Sequence, residues 1–270
     1  CGKGEAVTIK VERAGAEQPM NFTIIRDSVP LPTIRNAYMI RSNIGYVGLT
    51  GGFQRSSDDE LRAAIKRLQE QGMRQLVLDL RGNPGGLLDQ AIDVASEFLP
   101  TGQVVVSVKG RTEYSDEIVY KSNGADPATM PLVVLINRNT ASASEIVAGA
   151  IQDHGRGLIV GETSFGKGLV QRIFQLPFNT GLTLTTARYY TPYGRSLQRD
   201  YSSGSLYDYY TRHESTESEA QPLASPGNRN LESPLALASP TPHPNTGPAV
   251  KTVAGRVFYG GGGFTPDIEV

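Results

Sequence analysis

Apolar and polar positions change period several times along the chain. Residues 6–13 (AVTIKVER) and 20–26 (MNFTIIR) alternate, the pattern of half-buried strands, around a turn at Ala14-Gly15-Ala16. A lone hairpin is barely stable, so its simplest place is an edge of the main sheet. Val29-Pro30-Leu31-Pro32 reads as a linker into a core strand at 44–49 (IGYVGL). From Ser57 the period lengthens to that of a helix. Leu61, Ala64, Ile65 and Leu68 form one stripe, behind a Ser57-x-x-Glu60 capping pattern and ahead of Gly72. A buried strand follows at 76–80 and a second helix at 87–98, then strands at 104–108 and 113–120. The apolar run 131–136 leads into a helix over 142–153 with Ile146, Val147 and Ala150 on its inner face, and another strand follows at 158–160. Residues 173–176 and 182–190 look like a strand pair. This alternation predicts an α/β fold with helices covering a sheet.

Composition narrows the classes. A chain of 270 residues can build one substantial core and part of a second domain. A net charge of −1 gives no pull toward nucleic acid or an anionic membrane. One cysteine rules out a disulfide framework and, with three histidines, argues against a Cys/His metal site. No segment is apolar enough to span a bilayer. Cys1 lacks the charged and apolar stretch of a targeting signal, so the chain is expected to be a fragment whose targeting region is missing. Residues 201–250, rich in Ser, Pro, Thr, Asn and Glu, read as a mobile low-complexity insertion.

The chemistry-bearing stretch is 137–171. Ser142 sits at a strand-to-helix turn, where Ser142-Ala143-Ser144-Glu145 also fits a purely structural capping box. Lys167 lies in Gly161-Glu162-Thr163-Ser164-Phe165-Gly166-Lys167-Gly168, whose glycines let backbone pack close, so it is expected in a tight, partly apolar loop. A neutral lysine can take a serine hydroxyl proton and hand it to a leaving amine. Lysine is ordinarily protonated at pH 7, and burial is what disfavours the ammonium. Neither Glu145 nor Glu162 is therefore expected to touch the amine. Asp153 and His154 suggest a Ser-His-Asp set, but the helix rise puts Asp153 roughly 16 Å from Ser142, so Asp153 reads as structural. His213 and His243 lie in polar, loop-like sequence and are weaker candidates.

Five runs carry the pattern. Ala141-Ser142-Ala143-Ser144-Glu145-Ile146 is followed, 25 positions from its Ser142, by the lysine of Ser164-Phe165-Gly166-Lys167-Gly168. Asp79-Leu80-Arg81-Gly82-Asn83-Pro84-Gly85-Gly86, Thr191-Pro192-Tyr193-Gly194-Arg195-Ser196-Leu197-Gln198 and Gly262-Gly263-Phe264-Thr265-Pro266-Asp267 complete the set. Together they resemble the carboxy-terminal processing (tail-specific) proteases, serine peptidases with a Ser-Lys dyad. The resemblance implies Ser142 as nucleophile, Lys167 as general base and Gln171 as the residue orienting the lysine. It also implies an oxyanion hole from the amide of Gly85 or Gly86 with that of Ala143. The implied fold is a Clp-protease/crotonase-like spiral core over residues 31–200, resuming at 251–270, with residues 1–30 the end of a truncated PDZ domain. The implied activity is that of a serine endopeptidase cutting protein substrates near apolar C-terminal tails, without cofactor, metal or nucleic acid. The implied compartment is extracytoplasmic, periplasm or cell envelope, with membrane association resting only on the missing N-terminal region. Ser164 stands where the family usually has threonine. The rival reading is a non-catalytic ligand- or peptide-binding module on the same fold.

Overall fold

The amino-terminal alternating segments pair with each other. In a computed structural model of the chain, β1 (Ala6–Val11) and β2 (Met20–Ile25) form an antiparallel hairpin, Ala6 opposite Ile25 and Val11 opposite Met20. This hairpin is a sheet of its own, not the expected edge of the main sheet. It belongs to a unit, Cys1–Pro32, separate from Thr33–Val270. The structure describes residues 2–27, 31–110, 117–199, 249–251 and 255–270. The expected insertion at 201–250 lies almost wholly outside these, as do His213, His243, residues 29 and 30 of the linker, and residues 113–116 of one expected strand.

In the second unit the chain runs β3 (Ile34–Arg41), β4 (Ile44–Leu49), α1 (Ser57–Glu70), β5 (Gln75–Asp79), α2 (Leu88–Ser96), β6 (Val104–Gly110), β7 (Ile118–Lys121), β8 (Leu132–Ile136), α3 (Ala143–Asp153), β9 (Leu158–Gly161), β10 (Leu169–Leu176) and β11 (Thr180–Tyr190). Three short strands close it: β12 (Ala249–Lys251), β13 (Val257–Tyr259) and β14 (Ile268–Glu269). Strands buried on both faces read as continuous apolar runs and pair in parallel through crossover helices. Accordingly β4, β5, β8 and β9 are parallel neighbours in a six-stranded sheet ordered β14-β9-β8-β5-β4-β3, with only β3 antiparallel to its neighbour. Strand β3 was not expected from the sequence. It is an edge strand whose register against β4 slips twice, so its alternation is broken. A second sheet, β10-β11-β6-β7, is antiparallel throughout.

The α1 stripe of Leu61, Ala64, Ile65 and Leu68 is buried as expected. Helix α3 differs. All eleven of its residues are buried, including Glu145, Gln152 and Asp153, so it is enclosed on every side rather than resting one face on the sheet. Room for this comes from Gly149, where a side chain would strike the ring of buried Phe264.

Asp58, in the first turn of α1, pairs with Arg62 at 2.8 Å through one oxygen, while the other is buried without a partner. Burial, then the nearby Glu97 carboxylate, pushes its carboxyl up to about 6. A raised native carboxyl contributes stability fully below its unfolded value near 4 and loses it as pH rises through about 6. Asp58→Asn removes this titration. The variant is expected to gain about 1 kcal/mol over the parent at pH 7.5, after discounting for solvent screening, and nothing at pH 4. Urea unfolding at the two pH values measures the difference.

Candidate active site

Loops at the carboxyl ends of parallel strands are where open α/β sheets place their sites. Here four such loops meet: 50–53 after β4, 80–86 after β5, 137–142 after β8 and 162–167 after β9. Asn83, wholly buried, ties three of them. Its Nδ2 donates to the Leu49 carbonyl at 2.7 Å and its Oδ1 accepts from Gly85 N–H at 2.9 Å. Its own carbonyl accepts from Ala141 N–H at 3.0 Å and Ser144 Oγ at 3.1 Å. Thr140, also fully buried, donates from Oγ1 to the Leu80 carbonyl at 2.9 Å, and Gly82 N–H donates to Asn137 Oδ1 at 2.9 Å. Asn83 had no role expected from the sequence. The signal available was an amide side chain inside a glycine turn, where Asn commonly bonds the backbone two residues on.

Ser142 is half-buried with φ 57° and ψ −117°. A non-glycine residue in this region costs on the order of 1–3 kcal/mol and persists only where its surroundings dictate it. The turn is sharp because Gly85 abuts it: a side chain at Gly85 would begin 2.7 Å from Ser142 Cβ and 2.9 Å from Ala143 N. The capping box expected from the sequence is in place: Ser142 N–H donates to Glu145 Oε2 at 2.8 Å, and the Glu145 N–H, which bonds the Ser142 carbonyl at 2.9 Å, also faces the Ser142 side chain.

The two glycines are not equivalent. Gly85 N–H is spent on Asn83 Oδ1, whereas Gly86 N–H has no hydrogen-bond partner among the described residues. Gly86 forms a parallel bridge with Phe53, in which Phe53 N–H bonds to the Gly85 carbonyl and Leu87 N–H to the Phe53 carbonyl, both at 2.9 Å. In that pattern the N–H of the residue between points away from the partner strand. Gly86 φ is 151°, and a side chain there would collide with Phe53 backbone. Ala143 N–H, first in α3, is likewise without a partner among the described residues. Two main-chain donors thus stand free beside Ser142, those of Gly86 and Ala143.

Glu145 joins Ser142 to the Lys167 loop. Its carboxylate is completely buried and accepts four hydrogen bonds: Ser142 N–H at 2.8 Å and Lys167 N–H at 2.9 Å on Oε2, Ser164 Oγ at 2.6 Å and Gly166 N–H at 2.7 Å on Oε1. Burial pushes this carboxyl up, and the four donors oppose it. Since Ser142 N and Lys167 N share one acceptor atom, they lie within two hydrogen-bond lengths of each other. Ser164 needs only its hydroxyl, which also accepts Phe264 N–H at 2.7 Å and so ties the returning tail to the same loop. Gln198, from the Thr191-to-Gln198 run, holds Gly168 N–H at 2.9 Å through Oε1.

Two expectations about the lysine meet different outcomes. Glu145 reaches only its main chain, and Glu162 lies 3.9 Å from Arg138 instead. But the Lys167 side chain is exposed, not enclosed as expected, because the glycine contacts bury the loop's backbone and leave the side chain outside. Gln171 is exposed too, on β10 and on the same face as Leu169. Asp153 is structural, as expected: it pairs with buried Arg195 and accepts Tyr193 N–H at 3.0 Å. His154 bonds the Val104 carbonyl at 2.7 Å. Among the described residues no cluster of three or more His, Cys, Asp or Glu is placed to hold a metal, and no helix is long and apolar enough to cross a membrane.

Glu145→Gln replaces one acceptor oxygen by an amide N–H₂ that must face two donors. We expect a loss of about 3 kcal/mol in unfolding free energy for the two stranded donors, read by urea denaturation, and faster hydrogen exchange at Lys167 N–H and Ser142 N–H.

Comparison with known proteins places the chain. The family model described as peptidase family S41 matches residues 43–209. A carboxy-terminal-processing protease of Bartonella bacilliformis is 44% identical over 200 residues, 72% of this chain and 45% of that protein. A carboxyl-terminal-processing protease of Synechocystis is 38% identical over 201 residues, 73% of this chain and 46% of that one. Among solved structures, a photosystem II D1 C-terminal processing protease matches with a TM-score of 0.56 and 32% identity, over 72% of this chain and 53% of that one. The chain spans about half the length of the curated relatives it matches.

Proposed function

The chain belongs to peptidase family S41, and on that premise we propose that it is the core of a serine endopeptidase that cuts protein substrates near their C-terminal tails. The single observation that carries this reading is the shared Glu145 Oε2, which holds Ser142 and Lys167 side by side through bonds to their main-chain N–H groups. In the proposed mechanism Ser142 Oγ attacks the scissile carbonyl carbon and its proton passes to the neutral amine of Lys167. The oxygen of the tetrahedral intermediate then accepts from Gly86 and Ala143 N–H, groups whose freedom from internal partners supports this role. Gly85 is less suited to it, since its amide is already engaged. The lysine returns the proton to the leaving amine, and water releases the acyl group from Ser142 by the same route reversed. Gln171 would orient the amine.

Exposure of Lys167 gives the substrate a part in this scheme. A polypeptide lying over the loop would exclude water from the amine. The Cys1–Pro32 unit is read as the end of a PDZ domain, a proposal supported by its hairpin forming a unit of its own. A spiral Clp-protease/crotonase-like core, apolar-tailed substrates and an extracytoplasmic setting belong to the same proposal.

Purified protein incubated with an unstructured polypeptide tests it. The parent is expected to cut. Ser142→Ala and Lys167→Ala are each expected to lower the rate by roughly 10³-fold or more, with circular dichroism unchanged. Cutting at the parental rate by either variant ends the dyad assignment, and a parent that binds without cutting supports a binding module instead.

A further inference from the structure

The antiparallel sheet carries a cleft that the proposed chemistry does not use. Its volume is about 540 Å³, and Leu169, Thr185, Arg188, Lys109 and Tyr190 line it. Leu169 on β10 lies opposite Arg188 on β11, and Arg188 lies opposite Lys109 on β6, one straight row across three strands. Residues paired in this way share a face of the sheet, so the row begins at Leu169, two residues beyond Lys167 and just before the β10–β11 register shift between Val170 and Gln171.

Two cations directly opposite each other on neighbouring strands repel. Lys109 is partly compensated: Glu117 stands 3.2 Å from its Nζ, which lies 5.4 Å from the Tyr190 ring centroid. The Arg188 side chain is exposed and makes no hydrogen bond or ion pair among the described residues. A guanidinium left unpaired on a cleft wall, with a second cation beside it, suits an anion, and its planar fork matches a carboxylate.

We propose that Arg188, assisted by Lys109, binds a carboxylate of the polypeptide substrate and so sets which sequences are accepted. The word substrate rests on the peptidase reading above; the carboxylate site does not. Neighbouring strands are about 4.8 Å apart, and an extended peptide advances about 3.3 Å per residue. The carboxylate bound at Arg188 therefore lies roughly two to four residues from the bond attacked. It can come from a terminal carboxylate or from an Asp or Glu side chain.

Binding to the Ser142→Ala chain, measured by fluorescence anisotropy, keeps peptides intact and separates this proposal from the catalytic one. Three variants of one apolar peptide serve as probes: a free C-terminus, an amidated C-terminus, and an amidated form with one internal Gln→Glu replacement. At least one carboxylate-bearing form is expected to bind about tenfold more tightly than the neutral amide, and which one does so identifies the source. Arg188→Gln removes most of that advantage, and Lys109→Gln about threefold of it, since Glu117 already answers part of its charge. Neither changes affinity for the neutral amide. Arg188→Glu reverses the preference toward a lysine-bearing peptide, a gain that a misfolded variant would not give. The proposal is overturned by equal affinity for charged and neutral forms, by no binding of any form, or by Arg188→Gln weakening all forms alike. A carboxylate preference in a chain whose parent cannot cut leaves this site standing and removes the peptidase reading.

Discussion

A completely buried carboxylate holds the candidate site together. Glu145 sits in the first turn of α3, where the helix dipole and the free N–H groups favour negative charge, and it fills all four of its acceptor positions with groups from two separate loops. Three of the donors are main-chain amides with no other role. An unpaired charge this deep would cost several kcal/mol, so the Ser164-to-Lys167 loop has one low-energy placement, against the start of α3. The tail closes the arrangement: Phe264 packs on Gly149 within the helix while its N–H and carbonyl bond Ser164.

Asn83 does the corresponding work on the other side of Ser142. By satisfying donors and acceptors on three loops it fixes the glycine turn against the helix start. Gly85 then approaches Ser142 so closely that any side chain would be excluded. The positive φ of Ser142 follows from this squeeze: the backbone must turn between Asn83's partners and Glu145's partners within two residues. Strain at the serine is thus imposed by two buried polar residues, neither of which has to touch a substrate.

Much of this was legible from sequence, and the parts that were not share a cause. The parallel strands and the α1 stripe announce themselves by period, and Ser142's position at a strand-to-helix turn follows from the run that precedes it. Strand β3 was missed because its edge position and two register slips erase the alternation. Glu145 was legible as a capping residue, but its bonds to Gly166 and Lys167 depend on β9 lying beside β8, a contact between segments about twenty residues apart. Lys167 was expected to be enclosed because glycines flank it. Those glycines do bring backbone close, but what they enclose is the main chain. Local composition reports how tightly a backbone can pack and is silent on which way the side chain leaves it.

That difference bears on how such a site works. Asn83, Thr140, Glu145 and Ser164, which fix the geometry here, are buried, while the two side chains with proposed chemistry are half-buried or exposed. Rigid positioning and access by a large substrate make opposing demands, since a pocket dry enough to hold a neutral amine would also exclude a polypeptide. Under the proposed reading, holding Lys167 by its main chain and leaving its side chain exposed lets the polypeptide itself supply the missing wall. The site would then become competent only where a chain lies along β10. Selectivity and activation would then be one event, governed by how well a polypeptide fits the strand that begins two residues beyond Lys167.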